Sequence, residues 1–252
     1  MTETRRAIIV GGAGGIGSAI SKRLAADGYR VVVADYNVAR AREVCDALDG
    51  NGHEAVELDV TRGETVDAAF DAIEATGPAS ILVVASGGPV VSLVQRVNVA
   101  TMTMDDWKRT VDFNLNGVFC CVRKFAQLRL AHPLEQSRIV IIGSSVGQAA
   151  GTGTDIAYVS SKAAVFGLVR QAAYELAGAN ITVNVVSPGP VGTPEFIRQT
   201  NDQIRASIAS ITILKRLGLP EEVSGSVAYL VSPEAAYITG ASLDINGGAV
   251  LR

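Results

Sequence analysis

Tyr158 and Lys162 stand four residues apart in Tyr158-Val159-Ser160-Ser161-Lys162, a spacing that places both on one face of a helix. An ammonium held beside a phenol favours the phenolate. The pair is therefore predicted to lower the Tyr158 pKa from about 10 toward working pH and to make the phenol a general acid/base. Taken alone, a tyrosine and a lysine at this spacing are ordinary surface residues. Ser145 lies 13 residues before Tyr158, at the end of the apolar run Arg138–Ile142, and the three together say more than any one of them.

A second constellation sits at the start of the chain. Val10-Gly11-Gly12-Ala13-Gly14-Gly15-Ile16-Gly17 joins a short apolar run to a helix-like segment. Glycines in that setting let the backbone turn tightly, approach a pyrophosphate and present the N–H groups of a helix start to it. Without its neighbours the loop is only a flexible turn. Asp35 follows 18 residues after Gly17, at the end of the second apolar run, where a carboxylate binds both adenosine ribose hydroxyls and repels a 2′-phosphate. No Lys or Arg lies within the glycine loop, and Arg40 reads as a solvated helix residue. NAD is thus expected over NADP. The three cysteines (Cys45, Cys120, Cys121) show no CxxC spacing, and His53 and His132 are the only histidines, so no metal site, disulfide framework or Ser-His-Asp triad is expected.

These groups need a scaffold, and the hydrophobic pattern supplies one. Strands are predicted at Ala7–Val10, Arg30–Ala34, Ala55–Leu58, Ser80–Ala85, Arg138–Ile142, Ile181–Val186 and Ser242–Ile245, with helices at about 15–27, 38–49, 63–76, 104–131, 157–178 and 220–231. Continuous apolar strands alternating with helices predict an α/β fold, a doubly wound parallel sheet of Rossmann type. About seven strands are expected, with helices on both faces, in a single domain over 1–252. Hydrophobic residues make up 48% and charged residues 19%, which excludes a disordered chain. A net charge of −3 argues against nucleic acid as a partner. The longest central uncharged run, Ile81 to Gln95, is broken by Gly87-Gly88-Pro89 and is too short for a membrane span, which needs about 20 residues. A reducing, cytoplasmic location is expected.

Assembled, the sequence resembles the short-chain dehydrogenase/reductase family over nearly its whole length. Val10–Gly17 is similar to the family's TGxxxGxG loop, with Val10 in the Thr position. Leu58-Asp59-Val60 resembles the stretch whose acidic residue the family places against adenine, and Asn114 resembles its helix asparagine. Ser144-Ser145 resembles the active-site serine stretch, and Tyr158 with Lys162 the YxxxK motif. Ser187-Pro188-Gly189-Pro190-Val191 with Thr193 resembles the nicotinamide loop, and Asp244–Gly248 the C-terminal strand and glycine pair. The resemblance implies four catalytic residues: Tyr158 as general acid/base, Lys162 lowering its pKa and holding the nicotinamide ribose, Ser145 on the reacting oxygen, and Asn114 positioning a proton-relay water. It implies cofactor contacts from Gly11, Gly15, Ile16, Gly17, Asp35, Asp59, Val60, Ser86, Gly87, Tyr158, Lys162, Pro188, Gly189, Val191 and Thr193. It also implies a homo-oligomer, usually a tetramer. One departure stands out: Val84-Ala85-Ser86-Gly87 replaces the usual Asn-Asn-Ala-Gly, which ties the central sheet together.

The expected activity is NAD-dependent interconversion of a secondary alcohol and a ketone. The alternative is a 3-oxoacyl-thioester reductase, against which Asp35 counts if the direction is biosynthetic and fed by NADPH. A non-catalytic nucleotide sensor is the third reading, opposed by Asn114, Ser145, Tyr158 and Lys162 all being present. The expected substrate walls are Gly88–Val99, Val146–Asp155 and Pro190–Leu217, largely apolar through Val90, Val91, Val146, Ala149, Ala150, Phe196 and Ile197. A lid is predicted over about 190–217. Its Arg198, Arg205, Lys215 and Arg216 read either as an anion handle for coenzyme A or a carrier phosphopantetheine, or as a solvated face.

Overall fold

A computed structural model describes residues 5–91, 97–151 and 153–251. Seven strands, β1 (Arg6–Val10), β2 (Arg30–Asp35), β3 (Glu54–Glu57), β4 (Ile81–Val84), β5 (Ser137–Ile142), β6 (Ile181–Pro188) and β7 (Ser242–Ile245), form one parallel sheet. Their order is β3-β2-β1-β4-β5-β6-β7. Each central strand alternates between two cores, which explains why these runs are apolar without a break. Ile8, Val10, Leu82, Val84, Ile139 and Ile141 face α3 (Gly63–Thr76), α5 (Gly117–Ala131) and α6 (Ile156–Leu176). Ala7, Ile9, Ile81, Val83, Val140 and Ile142 face α1 (Gly15–Ala26) and α9 (Pro220–Val231).

The order of the sheet reverses between β1 and β4, so a crevice opens above their carboxyl ends, where ligands bind in such sheets. The missing asparagines do not open the sheet there. The ladder runs past the end of β4 through the Ala85 N–H donating to the Val10 carbonyl at 2.8 Å.

Two elements differ from the periodic expectation. The helix predicted over 104–131 is α4 (Met104–Val111) and α5, joined by a π turn at Asp112–Asn116. The helix predicted to end at 49 is α2 (Val38–Asp46), after which Gly50 takes a left-handed φ of 98°. The segment after β6 carries α7 (Pro194–Gln199) and α8 (Asp202–Ser210). Its two roots meet: the Gly192 N–H donates to the Gly218 carbonyl, and the Gly218 N–H to the Pro190 carbonyl, both at 2.9 Å. Among the described residues no helix is long and apolar enough to cross a membrane, and no His/Cys/Asp/Glu group could hold a metal.

Candidate active site

The glycine loop is built by close approach. Gly11, at φ 74°, lies so near β4 that a Cβ there would stand 2.7 Å from the Ser86 backbone nitrogen. A Cβ on Gly17 would fall 2.0 Å from the Gly11 carbonyl oxygen, so α1 can begin here only with glycine. Gly15 opens α1, and a Cβ on it would reach 2.6 Å from the Thr193 Cβ; the root of the 190–217 segment therefore rests on the loop. Ile16 is half-buried against the α1/α9 core. No side chain caps α1, whose start is an anion-binding feature of the kind a pyrophosphate occupies.

Asp35 ends β2 and is buried; its carboxylate accepts the N–H of Ala13, inside the loop, and of Asn37, each at 3.1 Å. Each oxygen keeps further acceptor capacity, which suits a ribose diol and opposes a phosphate. Arg40 is exposed, and its charge acts on Glu195 in the first turn of α7. Asp59 accepts the Thr61 N–H and hydroxyl at 2.9 and 2.7 Å, and buried Val60 packs where a Cβ on Gly117 would lie. Ser86 is buried with its hydroxyl oxygen unpartnered. An orphaned polar atom at the crevice, an uncapped helix start and a cradle that any Cβ would fill together fit a dinucleotide. On the other wall Pro188 ends β6, the Gly189 N–H donates to the Ile245 carbonyl at 3.0 Å, and Val191 bridges to Gly218. Thr193 caps α7 by accepting the Phe196 N–H.

Asn114 and Lys162 converge on Gly87, where a Cβ would stand 3.0 Å from Asn114 Oδ1 and 2.9 Å from Lys162 Nζ. The π turn places Asn114. Its Nδ2 donates to the Thr110 carbonyl, the acceptor an unbroken α-helix would give its backbone N–H, and to the Gly88 carbonyl. Its Oδ1 accepts the Gly88 N–H at 2.8 Å, so the amide pins the loop after β4. Lys162 is buried and donates to the Ile142 carbonyl at 3.0 Å; burial pushes its pKa down to about 8.

One expectation is corrected here. Without a cofactor the Tyr158 pKa is raised, not lowered. Burial is the largest cause, the Asp155 charge adds to it, and a hydrogen bond from the Ser144 side chain opposes it. Lys162 Nζ lies 5.9 Å from the Tyr158 ring centroid, and its own burial makes the amine easier to deprotonate. Of the two adjacent serines, Ser144 is the one whose hydrogen bond acts on the phenol. Ser144 caps the 3₁₀ turn Ser145–Gln148, and Ser145, the first residue inside the turn, is buried. The two serines stand side by side where β5 gives way to the turn. Asp155 was not foreseen. It caps α6 and accepts the Tyr158 N–H at 2.8 Å; an acidic residue three before the tyrosine, at the helix start, was the available signal.

The lid cations are all engaged. Arg198 pairs with Glu195, Arg205 with Asp202, and Arg216 with both Glu222 oxygens, while Lys215 donates to the Ser210 carbonyl. Of the expected substrate walls, residues 92–96 and 152 lie outside the described residues.

Residues 11–250 match the family described as enoyl-(acyl carrier protein) reductase. The 3-oxoacyl-[acyl-carrier-protein] reductase MabA of Mycobacterium tuberculosis is 35% identical over 246 residues, 97% of this chain and 92% of that one. The 3-oxoacyl-[acyl-carrier-protein] reductase FabG of Escherichia coli is 35% identical over 247 residues, 98% of this chain and 97% of that one. A crystal structure of a 3-oxoacyl-[acyl-carrier protein] reductase with bound NAD from Brucella melitensis superposes with a TM-score of 0.88 at 27% identity, covering 100% of this chain and 93% of that one.

Proposed function

The chain belongs to the short-chain dehydrogenase/reductase family, oxidoreductases acting on CH–OH groups, and from that premise we propose that it interconverts a 3-oxoacyl thioester and its 3-hydroxyacyl counterpart with NAD(H). The observation that carries the substrate class is the near-full-length identity to proteins named for 3-oxoacyl thioester reduction. Asp35 supports NAD, because its carboxylate at the end of β2 suits two ribose hydroxyls and repels a phosphate. Gly11, Gly15, Ile16, Gly17, Ser86, Gly87, Pro188, Gly189, Val191 and Thr193 line the crevice that would hold the cofactor, with Asp59 and Val60 at its adenine end.

A bound nicotinamide supplies the hydride. In reduction, Tyr158 gives its phenolic proton to the carbonyl oxygen as that oxygen takes up charge, and the Ser144 hydroxyl, its hydrogen-bonding neighbour, holds the same oxygen. The raised pKa keeps the phenol protonated at neutral pH, the form reduction uses. Lys162, charged below about pH 8, stabilises the phenolate left behind. In oxidation the phenol must first lose its proton, so the rate rises with pH. Asn114 holds the Gly87–Gly88 loop against Lys162.

A small uncharged secondary alcohol is the second reading, favoured by the lid cations all being engaged within the lid and its roots. Initial rates with acetoacetyl-coenzyme A and a panel of simple ketones, each with NADH and NADPH, separate the two. Turnover of ketones alone would overturn the thioester reading, and preference for NADPH would overturn the role given to Asp35. Phe119 and Tyr174, exposed on α5 and α6, together with the small Ala163 and Gly167 exposed on α6, suit a homo-oligomer, which light scattering would test.

A further inference from the structure

Ser144 is delivered to the phenol by a turn that touches two unlike neighbours. On one side Gly147 presses on α6 at the lysine itself: a Cβ there would stand 2.6 Å from the Lys162 carbonyl carbon. On the other side Gln148, the last residue of the turn, reaches the ends of β6 and β7. Its Nε2 donates to Ser187 Oγ at 2.7 Å and to Asp244 Oδ1 at 3.0 Å, with Ser242 Oγ at 3.4 Å. Ser242 Oγ donates to the same Asp244 oxygen at 2.9 Å. A carboxylate only accepts, so the amide nitrogen must face Asp244, and both of its hydrogens are used. Ser187 is fully buried and directly precedes Pro188-Gly189 on the cofactor wall.

We propose that Gln148 is a positioning residue, whose amide, anchored on Ser187 and Asp244, fixes the Ser144–Gln148 turn so that the Ser144 hydroxyl meets the Tyr158 phenol. The turn is short and its only cap is Ser144 itself, which accepts the Val146 N–H at 3.3 Å. The Gly147 contact ties the turn to α6, and the Gln148 amide ties its far end to β6 and β7. The charged groups facing the phenol are Lys162 from α6 and Asp155 at its cap; Asp244 faces Gln148 from β7. The inference rests on the oxidoreductase reading for its kinetic arm only.

Gln148→Leu keeps the bulk and removes the donor. It is expected to lower kcat about tenfold or more. The pH midpoint of alcohol oxidation should move up by about 0.7 unit, the equivalent of one net hydrogen bond, with NADH affinity unchanged. Gln148→Glu sets two carboxylates together and is expected to be worse. Adding Asp244→Asn reverses donor and acceptor across the contact and should restore both rate and midpoint, which also covers the case that Gln148→Leu folds poorly. Ultraviolet titration of the phenol in cofactor-free protein, taken as the difference from Tyr158→Phe, reads the same shift without substrate. A wild type that binds NADH and turns nothing over would sink the proposed function and leave this arm intact. An unmoved phenol midpoint in Gln148→Leu, or no restoration by Asp244→Asn, would overturn the role of Gln148.

Discussion

Replacing Lys162 by methionine is expected to stabilise the cofactor-free protein while removing its activity. Lys162 is 2% exposed, and burial lowers its pKa from 10.5 to about 8. At 1.36 kcal/mol per unit, holding the charged amine inside the folded chain at pH 7 costs about 3 kcal/mol. The hydrogen bond to the Ile142 carbonyl returns about 1 kcal/mol, so Lys162→Met should be more stable by about 2 kcal/mol at pH 7. The sign with pH follows from proton binding. Between about pH 8 and 10.5 the unfolded lysine is protonated and the folded one is not, so wild-type stability rises with pH through that window. Below pH 8 both states are charged and the full cost is present. The Tyr158 pKa is raised, so the phenol acts oppositely above about pH 10, but it is present in both proteins and is lessened in the difference. Chemical denaturation of both proteins from pH 7 to 10, without nucleotide, measures the gap. It should shrink steadily above pH 8. A variant less stable than wild type at pH 7, or a gap that does not change with pH, would refute the burial argument.

Three further outcomes follow from the crevice. Ser144→Ala should lower turnover by about 10²-fold, as for loss of one donor to the reacting oxygen, while Ser145→Ala costs much less; steady-state rates of the two side by side decide which serine acts. Asp35→Asn removes the charge and keeps an acceptor for the Ala13 N–H, so the NADPH to NADH ratio of kcat/KM should rise about tenfold, about 1.4 kcal/mol of relieved repulsion. Gly17→Ala drives a methyl group into the Gly11 carbonyl and should cost about 1–3 kcal/mol of stability and abolish tight NADH binding, read by denaturation and by nucleotide fluorescence.

The scaffold was legible because buried parallel strands have to be apolar on both faces. Val31, Val32 and Val33 point alternately into two cores, and no other arrangement uses such a run so fully. The glycine loop was legible because its glycines answer to close contacts, at Gly11 with Ser86 and at Gly17 with Gly11. What escaped depends on a single residue of register or on burial. Ser144 and Ser145 have the same chemistry, and only the fold sets one at the cap of the turn and the other inside it. The Tyr158–Lys162 spacing shows that the two groups are close but not that both are desolvated, which reverses the direction of the phenol's pKa. The π turn at Asn114 left no mark in the hydrophobic period, because one extra residue in a helical turn shifts the pattern less than the scatter of the side chains.

The central claim, that Tyr158 moves the proton while the crevice binds the nucleotide independently of it, is tested most directly by Tyr158→Phe. The measurement is the NADH dissociation constant together with single-turnover reduction of acetoacetyl-coenzyme A. The account predicts an unchanged dissociation constant and loss of turnover by about 10²-fold or more. Turnover retained in the variant, with NADH binding lost, would contradict it.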